Sequence, residues 1–177
     1  VSYGLGSDNN NLPPFIVLNN MGPGQGQNMD SANFGSGFLP SHFQGVQFMK
    51  GEQPVHYIQT PEGLALQEQG EDIDAINALA MAQYAQSGDE EILSKISQYE
   101  MAYRMQVSVP EVMNINDEPD YIQEMYGVQP GKESFANNCL LARKMVEKGV
   151  RFVQLYDWGW DSHGASESEA LSKGFLN

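Results

Sequence analysis

One segment near the end of the chain restricts the fold more than any other. Residues 134–148 carry an amphipathic helical pattern, with Phe135, Cys139, Leu140 and Val146 near one face and Lys144 and Lys148 toward its end. Cations suit the negative end of a helix dipole, and Gly149 stands where a left-handed residue closes a helix. The run 150–156 (VRFVQLY) follows at once. Its apolar residues fall on both faces, as in a strand inside a parallel sheet. Helix, glycine and buried strand make an αβ unit. The chain is therefore expected to be α/β, with a mostly parallel sheet flanked by helices.

The rest of the chain divides into two further stretches. Residues 1–66 are rich in Gly, Pro, Asn and Gln. Within them Phe15, Ile16, Val17 and Leu18 read as a short buried strand, and Val55, His56, Tyr57 and Ile58 as a second. Repeated glycine between them predicts a long irregular excursion over 19–50, anchored by Phe34, Phe38, Phe43 and Phe48. Residues 67–127 read as helical. A helix over 68–86 places Ile73, Ile76, Leu79 and Ala80 on one face, with Tyr84 a turn further on, and ends at Ser87 and Gly88. Asp89 can cap a second helix, with Glu90 and Glu91 in its first turn. Ile92, Ile96, Tyr99 and Tyr103 then recur at spacings of three and four. Val109 precedes Pro110, which predicts an end near Val107, because the residue before a proline avoids helical geometry. The pair forms a helical hairpin. A short helix over 120–126 closes at Gly127. The third stretch, 128–177, holds the αβ unit, a polar loop and the start of another amphipathic helix at Glu167.

Charge narrows the partners. Nine Lys and Arg stand against 23 Asp and Glu, a net charge of −14. Such a surface repels nucleic acid and anionic membranes. No run of about 18 apolar residues is present to span a bilayer. Cys139 is the single cysteine, which excludes an internal disulfide. Residues 1–11 lack the basic start and apolar core of a signal peptide.

Chemistry is expected beyond the strand 150–156. In open α/β sheets, ligands bind outside the carboxyl ends of the strands. There the sequence places Asp157, Trp158, Gly159, Trp160, Asp161, Ser162 and His163. In extended backbone, residues two apart point the same way, so Asp161 and His163 can meet one cation. Such mixed oxygen and nitrogen ligation suits zinc, manganese or iron. Asp-x-His also recurs by chance, and Asp157 can equally cap a turn, so the residues alone leave ligation and turn both open. Trp158 and Trp160 can wall a pocket or simply pack. Gly24 and Gly26 offer backbone N–H groups to an anion but lack the Lys-Ser/Thr of a phosphate loop, so a turn is favoured. His42 and His56 stand without nearby partners and read as structural. Cys139 reads as packing, and no serine stands on a nucleophile elbow.

Several separated segments resemble one family. The run 36–48 (SGFLPSHFQGVQF) looks like a characteristic stretch of the sulfatase-like proteins of domain-of-unknown-function family 1501. In order, 3–6 (YGLG) with Leu12 and Pro13, 99–106 (YEMAYRMQ), 139–143 (CLLAR) and 149–154 (GVRFVQ) agree. The family's Trp-Asp-x-His motif matches 160–163 (WDSH). The family is similar to the alkaline phosphatase superfamily. The resemblance implies a largely parallel sheet with metal ligands at strand ends, and Asp161 and His163 as ligands of a divalent ion (zinc, manganese, calcium or magnesium). It also implies twin-arginine export, hence a periplasmic or secreted location, and a small-molecule or polysaccharide ester of phosphate or sulfate as substrate. The family's signal, first strand with its early aspartate and nucleophile are expected upstream. Its Glu-Phe-Gly-Arg and Asp-His segments are expected downstream. The chain is therefore expected to be a central piece of one sulfatase-like domain, inactive alone. The alternative is a non-catalytic binding or surface-assembly protein on the same fold, using the Gly/Asn/Gln-rich excursion as its recognition surface.

Overall fold

A computed structural model describes residues 1–19, 31–49, 54–55, 65–132 and 134–157. A single helical turn, α1 (Ser2–Leu5), precedes the first strand, β1 (Phe15–Asn19). Two 3-10 turns, Ser31–Phe34 and Ser41–Phe43, lead to β2 (Val46–Phe48). Helices α2 (Leu66–Ser87), α3 (Glu90–Met113), α4 (Asp120–Tyr126) and α5 (Phe135–Glu147) follow, and then β3 (Phe152–Tyr156). The strands form one parallel sheet in the order β2-β1-β3. Over the described residues the protein is thus mixed α/β, with a three-stranded parallel sheet and several helices.

β1 is the middle strand because its sequence tolerates burial on both sides. Ile16, Val17 and Leu18 are all buried. Ile16 pairs with Val46 on one side and with Val153 on the other. β3 is less buried than its apolar run predicts: Phe152 is exposed and Val153 to Tyr156 are half-buried. It flanks β1 at the edge of the described sheet, where one neighbour is missing. β2 lies inside the stretch expected to be irregular. Gly45 makes its close approach possible, since a Cβ there would stand 3.0 Å from the Phe15 ring and the Phe34 Cβ. Of the expected aromatic anchors, Phe48 is buried, Phe34 and Phe43 are half-buried, and Phe38 is exposed. Val55 lies in a bend, and His56, Tyr57 and Ile58 lie outside the described residues.

The helical hairpin forms, with two corrections. On α2 the half-buried line is Ile73, Asn77, Ala80 and Tyr84, at spacings of four, three and four, and Ile76 and Leu79 are exposed. On α3 Ile92, Ile96 and Tyr103 are half-buried and Tyr99 is exposed. A second line, Met105, Val109 and Val112, is buried in the common core, together with Ile115 just past the helix end. That line explains the other correction. α3 continues to Met113, with Pro110 inside it. An interior proline costs about 3 kcal/mol. Burying these four side chains yields about 1.5–3 kcal/mol each, which outweighs it. Pro110→Ala restores a helical N–H and should stabilise the protein by about 1–2 kcal/mol, after the loss of proline's restriction of the unfolded chain. A urea titration reads this as a higher midpoint at unchanged slope.

α5 begins where Ser134 caps it, its hydroxyl accepting the Asn137 N–H at 3.1 Å. The buried residues are Asn137, Asn138, Leu140, Leu141 and Met145, whereas Val146 is exposed. The helix closes as expected at Gly149, with φ of 89°. A turn this tight sends β3 back along α5. Asp8 pairs with Arg151 at 2.7 Å across the same corner.

Candidate functional site

The three strands run in one direction, so their carboxyl ends share an edge. That edge holds Asn19, Met49 and Asp157, each at or just past the end of its strand. Strand alternation sorts the side chains. Ile16, Leu18, Val46, Phe48, Val153 and Leu155 join the core formed with α3 and α5. Phe15, Val17, Asn19, Phe152, Gln154 and Tyr156 therefore lie on the other face. There Phe15 and Phe152 meet edge to face at 5.0 Å, and Gln154 Nε2 donates to the Tyr156 hydroxyl at 2.6 Å. Asn19 stands in register with Tyr156. Its Oδ1 is buried and accepts no hydrogen bond among the described residues.

The first turns of α5 reach this edge from the core side, because β3 runs back along the helix. Cys139 and Asp157 record the proximity. Burial pushes the Cys139 thiol pKa up, and the Asp157 carboxylate pushes it further. A thiol held protonated is a poor nucleophile; Cys139 is half-buried and lies outside the buried core, so it packs less fully than expected. Iodoacetamide at pH 7.5 should modify Cys139 about tenfold or more slowly than a free thiol, and unfolding should abolish the difference. The folded pKa lies above the unfolded one. The associated stability is therefore fully present below the unfolded value of about 8.5 and is lost as pH rises through the folded value. Cys139→Ser should remove that alkaline loss.

Asp157 sits half-buried just beyond β3. Asp161 and His163, with Trp158 and Trp160, lie outside the described residues, as do Gly24, Gly26 and His56. Among the described residues, no three His, Cys, Asp or Glu side chains gather to hold a metal ion. His42 is half-buried against Phe43 at 3.9 Å between ring centroids. Its Nδ1 lies 3.2 Å from Ser94 Oγ. Next to it the Ser41 hydroxyl donates to Glu91 at 2.8 Å and accepts from Gln98 at 2.7 Å. These contacts fasten the 3-10 turn to α3, the structural role expected for His42.

Sequence reasoning missed two asparagines. Asn137 clamps the turn before α5: it accepts the Gln129 N–H at 3.0 Å and donates to the Gln129 and Lys132 carbonyls at 3.0 and 2.8 Å. Asn138 is buried, and its Nδ2 makes no hydrogen bond among the described residues. The available signal was two consecutive polar residues between Phe135 and Leu140, inside an otherwise apolar helix face.

A family model described as a protein of unknown function, DUF1501, matches residues 1–173. No curated protein and no solved structure matches the chain. No helix among the described residues is long and apolar enough to cross a membrane. With the family match running almost from end to end, the chain belongs to the DUF1501 family.

Proposed function

We propose that this chain is the central part of an exported, metal-dependent hydrolase of phosphate or sulfate esters, built on an alkaline-phosphatase-like fold. Asp161 and His163 are its metal ligands. The observation that supports this most is the shared carboxyl edge of the parallel sheet. The chain leaves β3 there at Asp157, and the Trp-Asp-x-His segment follows within a few residues in sequence. Ligands of open α/β proteins bind at such edges.

The donor chemistry fits a divalent ion. A carboxylate and an imidazole are two of the four to six donors that such ions take. The buried Asn19 oxygen at the same edge, without a donor among the described residues, suits a cation-facing position. Charge supports the same reading. A chain of net charge −14 repels an anionic ester. A bound cation reverses the local potential and polarises a phosphoryl or sulfuryl oxygen. The residues of this chain hold that ion and orient the ester against the edge.

The test uses the longest reading frame that contains the chain. Its purified product should carry a stoichiometric divalent metal and turn over aryl phosphates or aryl sulfates. Asp161→Ala and His163→Ala should each lose the metal and lower kcat/KM by about a hundredfold or more at unchanged fold. A well-folded, metal-free and inert protein would sink the proposal and favour the binding or surface-assembly alternative.

A further inference from the structure

A second buried group near the carboxyl edge has no partner among the described residues. Asn138 is 1% exposed, and its Nδ2 is unpaired among the described residues. Asn137 beside it makes three hydrogen bonds, so the contrast lies in position and not in residue type. Asn138 shares the α5 face of Leu141 and Met145, both core residues, and stands one turn in from the helix start. Helical side chains lean toward the helix N-terminus. The Asn138 carboxamide therefore leans toward the edge where β3 ends, the same place at which the Asp157 charge reaches Cys139.

A buried amide N–H without an acceptor is costlier than a hydrocarbon of the same shape. Leucine would make the more stable α5. We infer that Asn138 is a binding residue, its Nδ2 donating a hydrogen bond to an oxygen of a tetrahedral oxyanion, the phosphate or sulfate group of the ester. This inference rests on the ester-hydrolase reading. A neutral donor at this place adds to the positive end of the α5 dipole, which already favours anions. Asp157 opposes a bare anion nearby, so the oxyanion binds with the cation present.

The experiment titrates the full-length, metal-loaded protein with inorganic phosphate and, separately, with inorganic sulfate, and records metal content and Tm. Asn138→Leu should weaken the preferred anion about tenfold or more. It should leave the metal content unchanged and raise Tm by a few degrees. Asn138→Asp, nearly the same shape but without the donor, should also lose anion binding. The anion that suffers the larger loss identifies the ester class. Unchanged affinity in both variants overturns the inference and makes Asn138 structural, as does wild-type protein that binds neither anion. If the metal and ester turnover are normal and Asn138→Leu leaves KM unmoved, this inference alone fails. If the wild type holds no metal, the hydrolase reading fails and this inference fails with it.

Discussion

Ile16→Ala is expected to destabilise the protein by about 3–5 kcal/mol, the upper part of the range for truncating a buried Ile. Ile16 has no exposed surface and sits in the middle strand. Val46 and Val153 hold it in register on both sides, and it belongs to the core shared with Leu140, Leu141 and Met145. Neither neighbouring strand can move in without breaking its ladder, so the cavity stays open. For a chain of 177 residues this lowers Tm by about 6–20 °C. Differential scanning calorimetry measures it directly. A loss below about 1 kcal/mol would mean that the sheet is not the centre of the fold.

Gly149→Ala should cost about 2–3 kcal/mol, although it adds one methyl group. The backbone has φ of 89° there, a conformation that residues with a Cβ rarely adopt. The new Cβ would also lie 3.3 Å from the Asp8 backbone and the Asn9 Cβ. Gly149→Asn separates the two causes. Asparagine tolerates left-handed backbone, so it should recover about 1 kcal/mol of the conformational part and none of the crowding. Urea midpoints of the three proteins give the comparison. An alanine variant as stable as the wild type would show that the corner between α5 and β3 relaxes freely.

Local chemistry was the legible part. The capping residue Asp89 and the closing glycines Gly88, Gly127 and Gly149 set their helices as expected, because each acts on backbone within a turn. Errors arose where distant packing decided. Pro110 is tolerated because Val109 and Val112 meet a core built from β1 and α5. The three residues of β2 are too few for a periodic signal and are held by pairing with β1. At the site, the strand end and Asp157 were readable from one apolar run, whereas Asp161 and His163 lie beyond the described residues. Asn138 escaped notice because its significance lies in a missing partner, which a sequence does not display.

The all-parallel order of the sheet sets a timetable for synthesis. β1 emerges from the ribosome before β3, and Ile16 acquires its Val153 neighbour only after α2, α3, α4 and α5 have been made. The α2–α3 pair, close in sequence, can form long before. Until β3 arrives, an apolar strand waits with one rim bare, the condition under which nascent chains associate with one another. Termination before residue 152 should therefore yield a helical, aggregation-prone product that a chaperone must hold.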